Sequence, residues 1–363
     1  MTFGDRLNCP GDNTIKEGEM KSFAVAIAFV VCAVFDFSPA ESRPAGGYHI
    51  IDSLQLGGDT GWDYLTVDTS AERLFVSRGN RVQVIDLSNH RIVGEIANTI
   101  GVHGIALVSS SGRGYTSNGR DSSVTEFDLK TLKTLSTIKI NARNPDAILY
   151  DPVSRRVFTF NGGSRDATAI DVKSNVVAGT IPLDGKPEFA VSDGQGHIFV
   201  NIEDKSELVM LDPVGLKVLK RWSIAPGEEP SGLAIDRKNR RLFSACGNRV
   251  MMISDADSGI VVGKVTIGGG VDGAGFDPLE GLAFSSNGEG TLTVVREESP
   301  RTFSVAEDVV TRRGARTLVL DEKTHLIYTV TARFGPPPEP TDGRPHPRPS
   351  IVPGSVTLYT IGH

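Results

Sequence analysis

The chain has little cysteine and no cysteine motif. Cys9, Cys32 and Cys246 are the three cysteines among its 363 residues, and none belongs to a Cys-x-x-Cys or Cys-x-x-Cys-His sequence. This excludes the common zinc-binding, redox and haem-attachment patterns. Because only Cys246 lies beyond residue 40, we expect no internal disulfide in the mature chain and predict that Cys246 is a small core residue.

An excess of basic residues is also absent. Lys and Arg number 38 against 44 Asp and Glu, which gives a net charge of −6. Nucleic-acid binding needs a basic surface, so we expect no nucleic-acid partner. The Gly-x-Ser-x-Gly elbow of many hydrolases and the phosphate-binding loop of nucleotide hydrolases are missing as well, which removes two common classes of enzyme.

An apolar run of the signal-peptide type lies near the amino terminus. Residues 23–35 are apolar, Lys21 precedes them, and Ser38-Pro39-Ala40 has the small residues of a cleavage site. We therefore predict that residues 1–40 are a signal-peptide region, that translation starts at Met20 and that cleavage follows Ala40. The run is shorter than the ~20 residues of a transmembrane helix. We expect a periplasmic or secreted protein with no membrane span after cleavage, and retention as an uncleaved anchor stays open.

The rest of the chain repeats with a period of about 42 residues. Residues 73–86 resemble residues 241–254, and the same order of short apolar runs and polar turns recurs between and beyond them. The ends of the first runs align at Asp68, Val108, Asp151, Ser192, Asp236, Asp277 and Asp321. Seven units of this length, each with four short strands, predict an all-β fold, a seven-bladed β-propeller of four-stranded blades.

The last unit lacks its fourth strand, and the start of the repeat region supplies one. Residues 355–361 read as the third strand of unit seven, and residues 48–56 read as an additional strand ahead of unit one. Pairing of these two segments closes the ring and protects both sheet edges. We therefore predict a single domain over residues 41–363, closed by an N-terminal strand that joins the last blade.

Asn-Gly pairs mark turns between second and third strands. They occur at Asn118-Gly119, Asn161-Gly162 and Asn287-Gly288. Asn-Gly favours tight hairpins because both residues tolerate a positive φ. We therefore predict that these residues form turns and that any ligand role is secondary.

The repeats resemble a known family. Phe-Val-Ser-Arg-Gly (75–79), Tyr-Thr-Ser-Asn-Gly (115–119) and Phe-Thr-Phe-Asn-Gly (158–162) look like the YVTN-type repeats of YncE-like secreted bacterial proteins. The resemblance covers residues 48–363. It implies a seven-bladed propeller without an established reaction. The repeat is also similar to that of seven-bladed lactonases and of propeller domains in some quinoprotein and haem enzymes, so the fold alone does not decide the function.

The residues expected at the channel mouth are unusually polar. The first strand of each propeller blade lines the channel, and the residue five before each strand end marks its entrance. These positions hold Asp63, His103, Asp146, Pro187, Ser231, Asp272 and Arg316, with Glu188 next to Pro187. Buried charges need pairing, hydrogen bonds or a ligand.

Three interpretations of this mouth stay open. It can be a solvated funnel in which Arg316 bridges Asp272 and Asp63. It can bind a small ligand or a hard divalent cation, although no local metal spacing supports a metal and we expect no cofactor. It can be catalytic, with His103 in an acid–base pair and Arg316 holding an anionic substrate.

The sequence favours a secreted or periplasmic binding or scaffold protein with a polar ligand site at the channel mouth. The alternative is a lactonase-like hydrolase or a lyase acting on a small sugar-derived or anionic substrate. A third interpretation is a protein-interaction platform that uses the proline-rich loop at residues 335–354. We expect a monomer whose partner is a small molecule or a protein.

Overall fold

The structure, a computed structural model, describes residues 47–339 and 349–363. The predicted signal-peptide region and the middle of the proline-rich loop lie outside these residues. The described part contains 28 strands and two short 3-10 helices, Ser109–Ser111 and Glu203–Lys205. No helix in these two ranges is long and apolar enough to cross a membrane.

The strands are numbered in chain order. They are β1 (His49–Gln55), β2 (Leu65–Asp68), β3 (Arg73–Arg78), β4 (Arg81–Asp86), β5 (Arg91–Ala97), β6 (Val102–Val108), β7 (Arg113–Asn118), β8 (Ser123–Asp128), β9 (Thr134–Lys139), β10 (Pro145–Asp151), β11 (Arg156–Asn161), β12 (Asp166–Asp171), β13 (Val176–Pro182), β14 (Pro187–Ser192), β15 (Ile198–Ile202), β16 (Glu207–Asp212), β17 (Lys217–Ser223), β18 (Pro230–Asp236), β19 (Arg241–Cys246), β20 (Val250–Asp255), β21 (Val261–Thr266), β22 (Val271–Asp277), β23 (Leu282–Asn287), β24 (Thr291–Ser299), β25 (Thr302–Val310), β26 (Leu318–Asp321), β27 (Leu326–Thr331) and β28 (Thr357–Gly362).

These strands form seven antiparallel sheets of four, and the sheets are the blades of a propeller. Blades 1 to 6 each use four consecutive strands, from β2–β5 to β22–β25, and blade 7 has the order β26-β27-β28-β1. The first strand of each blade contacts the first strand of the next, and β26 contacts β2, which closes the ring. The predicted fold is confirmed, and all seven first strands end at the aligned residues.

Apolar side chains between neighbouring blades form the core. The described residues contain seven buried hydrophobic clusters, one at each blade interface. The second strand of every blade has a buried aromatic residue at the same position: Phe75, Tyr115, Phe158, Phe199, Phe243, Phe284 and Tyr328. Phe243, for example, stacks on Phe276 of the next blade at 5.2 Å between ring centroids. The recurring aromatic position is therefore the contact that holds adjacent blades together.

The carboxylates that end several first strands also join neighbouring blades. One oxygen of Asp277 accepts hydrogen bonds from the backbone amides of Leu279 and Glu280 in the following turn. The other oxygen lies 2.6 Å from Nδ1 of His325 in blade 7. Asp151 accepts a bond from Ser192 in the same way. The conserved spacing of these aspartates along the chain thus reflects two structural roles, turn capping and blade docking.

The Asn-Gly turns lie where the sequence predicts, but the expected reason is wrong. Asn118, Asn161 and Asn287 end second strands, and none of them has a positive φ. The positive φ falls later in these loops, at Ser122, Arg165 and Gly290. The asparagine side chains are buried and bind strand hydroxyls instead. Asn118 accepts a hydrogen bond from Thr116 at 2.8 Å and donates one to Thr125 at 2.9 Å. Asparagine is used here to satisfy buried polar groups.

The amino-terminal strand is the outer strand of the last blade. β1 pairs antiparallel with β28, from His49 opposite Gly362 to Gln55 opposite Thr357. The amide of Leu56 extends this ladder to the carbonyl of Val356 at 2.8 Å. Tyr48, just before β1, is buried against Phe284 of blade 6 at 5.4 Å between ring centroids.

Removal of β1 should destabilise the whole ring. A chain that begins at Gly57 loses the β1–β28 ladder and the Tyr48 contact, which exposes an unpaired edge on β28. We expect its midpoint of thermal unfolding, measured by circular dichroism, to fall well below that of a control chain that begins at Gly47. Equal midpoints for the two chains would contradict this role of β1.

A carboxyl pair between blades 5 and 6 predicts a stability change with pH. Burial and the nearby charge of Asp236 raise the pKa of Glu297 from 4.5 to about 7, although Asn239 donates a hydrogen bond to it. The other oxygen of Glu297 is buried and receives no hydrogen bond from the described residues. Because the folded pKa is raised, stability is highest below the unfolded pKa and falls as pH rises towards about 7.

Glu297→Gln should reduce this loss. We expect the unfolding free energy of the wild type to fall more than that of the variant between about pH 5 and about pH 8. Urea unfolding at both pH values measures this difference, and the comparison cancels the titration of groups elsewhere. Identical losses in the two proteins would show that ionisation of Glu297 beside Asp236 does not lower the unfolding free energy.

Candidate functional site

The starts of the innermost strands direct polar residues into the channel. In blades 2 to 6 the second residue of this strand is, in order, His103, Asp146, Glu188, Ser231 and Asp272. In each of these blades the pairing of the first and second strands shifts register at this point. A β-bulge of this kind changes the direction of a side chain. Asp63 and Arg316 lie in the loops just before β2 and β26.

The predicted mouth residue of blade 4 is Glu188. Counting five residues back from the strand end gives Pro187, and the sequence analysis names Glu188 beside it. β14 is one residue shorter than the first strands of blades 2, 3, 5 and 6, and its second residue is Glu188, which is buried. Glu188 is therefore the equivalent of Asp146, and Pro187 is the first residue of the strand, as Pro145 is in blade 3.

Five of the predicted residues form a continuous arc of alternating charge over five blades. Nε of Arg316 lies 3.0 Å from Oδ2 of Asp272, and Nη2 of Arg316 lies 3.9 Å from Oδ1 of Asp63. Oδ2 of Asp63 lies 2.5 Å from Nδ1 of His103, which is 3.6 Å from Oδ1 of Asp146. Arg316 thus lies between Asp272 and Asp63, and His103 lies between Asp63 and Asp146.

The remaining predicted residues lie outside this arc. Glu188 pairs with Lys186, whose Nζ is 2.6 Å from Oε1 of Glu188 and also contacts Glu203. Ser231 donates a hydrogen bond to the carbonyl of Val271 at 3.1 Å, which ties blade 5 to blade 6. We call Asp63, His103, Asp146, Lys186, Glu188, Glu203, Asp272 and Arg316 the mouth cluster.

Backbone contacts fix the loop that carries Asp63. Its amide donates to Oγ of Ser77 in blade 1 at 3.0 Å, and its carbonyl accepts a bond from Thr317 of blade 7 at 2.9 Å. The next amide, of Tyr64, donates to the carbonyl of His103 in blade 2 at 3.3 Å. Three blades therefore hold Asp63 in place, and its carboxylate lies between Arg316 and His103.

An apolar floor adjoins the mouth cluster. Tyr64 comes from blade 1 but packs with residues of blades 3 and 4, including Phe189 at 5.3 Å between ring centroids. This contact crosses the channel, and Tyr64 is buried. Burial, and then the charges of Asp146, Asp272, Asp63 and Glu188, raise the pKa of Tyr64 well above its ordinary value. The polar mouth is therefore a cup with an aromatic floor and not the rim of an open channel.

Three carboxyl groups of the mouth cluster, those of Asp146, Glu188 and Asp272, are shifted towards their neutral forms. Burial raises the pKa of Asp146 to about 6, against the opposing charge of His103. Burial raises the pKa of Asp272 to about 7, although Arg316 opposes the shift. Burial and the charge of Asp146 raise the pKa of Glu188 to about 8. Burial in a partly dry cup is the main cause of these shifts, and repulsion between neighbouring carboxylates adds to it.

Two cations of the mouth cluster, His103 and Lys186, are shifted towards their charged forms. Burial lowers the pKa of His103, but the hydrogen bond to Asp63 and the charge of Asp146 outweigh it, so the pKa rises above the ordinary value of 6.5. Burial also opposes the charge on Lys186, and its bonds to Glu188 and Glu203 raise its pKa overall. The cup therefore combines charged donors with carboxyl groups that can carry protons.

One part of the mouth cluster has the donor set of a metal site. Asp63, His103 and Asp146 each offer one ligand atom, and these atoms lie within 4.8 Å of one another. Among the described residues this is the one group of three or more such side chains. The sequence showed no local metal spacing, since these residues come from three blades.

Sequence reasoning missed Tyr64, Lys186 and Glu203. Tyr64 directly follows Asp63, and Lys186 lies two residues before Glu188, so both were adjacent to predicted positions. Their roles depend on side-chain direction across the ring, which the repeat does not encode. Glu203 lies in a short 3-10 helix between β15 and β16, outside the aligned first strands.

Comparison with known proteins identifies the fold and goes no further. No protein-family model matches the chain, and no curated protein matches its sequence. The solved structure titled Kuenenia stuttgartiensis Hydrazine Synthase is similar with a TM-score of 0.65 and 15% identity, over 75% of this chain and 92% of that chain.

Two further structures are similar at comparable levels. The structure of U3-55K has a TM-score of 0.71 and 10% identity, over 86% of this chain and 99% of that one. The RRP9 WD40 repeats have a TM-score of 0.71 and 9% identity, over 87% and 97%. At these identities the likeness concerns the fold alone. The described chain is a seven-bladed β-propeller, and its fold is similar to that of these WD40 repeats.

Proposed function

We propose that this protein is a secreted or periplasmic binding protein of the YVTN type that holds a small polar ligand in the cup at the channel mouth. The signal-peptide pattern at residues 23–40 supports the location, and the repeat sequences at residues 75–79 and 115–119 support the family. The mouth cluster supports the binding role.

The observation that carries the proposal is the arc from Asp272 through Arg316, Asp63 and His103 to Asp146. Partial burial of a charge costs free energy unless interactions with its partners offset the loss of solvation. Apolar residues of similar size often stabilise a fold as well or better. The ring already has seven apolar interfaces and an aromatic floor. A fold of this kind gains little from concentrating charge at its centre, whereas a ligand site needs it.

The charge balance indicates the class of ligand. The mouth cluster has five carboxyl groups against the cations Lys186, Arg316 and His103. Both Lys186 and Arg316 are already paired with carboxylates at 2.6 Å and 3.0 Å. An anion would have to displace these partners. The cup therefore favours a neutral or cationic ligand that donates hydrogen bonds, such as a polyol, a sugar or an amine.

A second candidate is a lactonase-like hydrolase or a lyase. The pair formed by Asp63 and His103 favours it, because a carboxylate that orients an imidazole is the arrangement used for general acid–base catalysis. In this case Arg316 would hold a carbonyl or carboxylate oxygen of the substrate. The side chain of His103 is 27% exposed, so a ligand in the cup can reach it.

A thermal-shift screen tests the binding proposal. The purified chain is heated with sugars, sugar lactones, sugar acids, polyols and amines in the presence of a chelator. A ligand at 100 times its dissociation constant adds about 2.7 kcal/mol of stability. We expect neutral or cationic compounds to raise the unfolding temperature, and we expect Arg316→Gln and Asp272→Asn to abolish the shift.

Arg249→Gln is the matched control. Arg249 forms an exposed ion pair with Glu289 at 2.8 Å outside the mouth cluster, so its loss should leave ligand binding unchanged. The proposal is wrong if no compound in the panel stabilises the chain, or if the shift survives in the Arg316 and Asp272 variants. Conversion of a bound compound to a product, measured by NMR, would establish the enzymatic alternative if His103→Ala abolishes it.

A further inference from the structure

We propose that Asp63, His103 and Asp146 bind one divalent transition-metal ion at the mouth of the channel. The inference rests on the proposed function and deepens it, because a metal ion in the cup can coordinate an oxygen of the polar ligand. It rests on the positions of three donor atoms, on the rigidity of the strands that carry them and on their charge.

The three donor atoms are close enough to share one ion. Nδ1 of His103 lies 2.5 Å from Oδ2 of Asp63 and 3.6 Å from Oδ1 of Asp146. Metal–ligand bonds to nitrogen and oxygen of about 2.0–2.2 Å place neighbouring ligands roughly 3.0–3.5 Å apart. Insertion of an ion therefore requires only a small separation of Asp63 from His103 and a small approach of Asp146.

The donor set indicates which ions fit. One imidazole nitrogen with two carboxylate oxygens suits Zn²⁺, Mn²⁺ and related transition-metal ions. Ca²⁺ prefers six to eight oxygen ligands and is a poor match for this set. Three protein ligands also leave at least one coordination position free on a four-coordinate ion. The side chains of Asp63 and Asp146 are each 17% exposed, so a hydroxyl or carbonyl oxygen of a small ligand can occupy that position from the cup.

Neighbouring strands hold the three ligands in place. Oγ of Ser117 accepts a hydrogen bond from the amide of Gly104 at 2.9 Å and donates one to the carbonyl of Asp146, which fixes the strands of His103 and Asp146 to each other. The amide of Tyr64 joins the Asp63 loop to the carbonyl of His103 at 3.3 Å. Ligands held by a rigid scaffold lose little entropy when an ion binds.

The local charge suits a divalent ion. Asp63 and Asp146 together supply two negative charges. Arg316 is matched by Asp272 at 3.0 Å and approaches the other oxygen of Asp63, Oδ1, at 3.9 Å, and Lys186 is matched by Glu188 and Glu203. Oδ2 of Asp63 is therefore left for the ion. A bound cation would also relieve the repulsion between these two carboxylates.

Other histidine–aspartate pairs on the chain lack a third ligand and provide controls. His325 lies 2.6 Å from Asp277, and His197 lies 3.0 Å from Asp193. Neither pair belongs to a group of three or more ligand atoms in the described ranges. If a histidine next to an aspartate were enough to bind the ion, these pairs would bind it as well.

Isothermal titration calorimetry of the untagged, chelator-treated chain with ZnCl2 and MnCl2 tests the site. We expect one saturable equivalent of Zn²⁺ or Mn²⁺. His103→Ala and Asp146→Asn should each weaken binding by at least ~10-fold, and His325→Ala should leave it unchanged. Circular dichroism melting of each variant checks that it is folded, and Asp146→Asn keeps the shape of the side chain in case His103→Ala is unstable.

The proposal fails if neither metal gives saturable binding, or if folded His103→Ala and Asp146→Asn bind as tightly as the wild type. It also fails if His325→Ala loses binding instead. The screen with a chelator separates this result from the proposed function. Ligand shifts that depend on Arg316 without metal binding would overturn only the metal site. Metal binding without any ligand shift, both with the chelator and in a repeat of the screen with the metal restored, would overturn only the proposed function.

Discussion

Pairing of β1 with β28 is the contact on which the rest of the ring depends. Six blades are built from consecutive strands, but blade 7 is complete only when the two ends of the repeat region meet. Closure brings β26 against β2. That junction places Arg316, from the loop before β26, beside Asp63, from the loop before β2. The polar arc at the mouth therefore exists because the ring is closed there.

The mouth and the blade interfaces follow opposite physical rules. Each interface buries an aromatic residue and its aliphatic neighbours, and this burial stabilises the ring. At the mouth, several carboxyl groups lie close together and are partly buried. Burial raises the pKa of Asp272 to about 7 and that of Glu188 to about 8. Functional sites are where proteins accept such costs. The innermost strand of a blade contributes to the site and to the fold. Residues near its start face the cup, and the residue at its end caps a turn and docks the next blade.

The repeat made the fold and most of the mouth predictable. Strand ends such as Asp151 and Asp277 recur because they have the same task in each blade, and a fixed offset from them finds Asp63, His103 and Asp146. In blade 4 the offset alone gives Pro187, because β14 is one residue shorter than the first strands of blades 2, 3, 5 and 6, and the predicted residue beside it, Glu188, takes the equivalent position.

What the sequence could not show are contacts that cross between blades. Tyr64, which comes from blade 1, reaches blades 3 and 4. The three-ligand group has no sequence signature for the same reason. The central claim is that the mouth cluster serves a ligand and not the fold. The unfolding free energy of Asp146→Asn, measured in urea with a chelator present, tests it most directly. The account predicts a value equal to or above that of the wild type, because the variant removes a crowded charge. A loss of about 3 kcal/mol or more, the cost of breaking a buried ion pair, would contradict it.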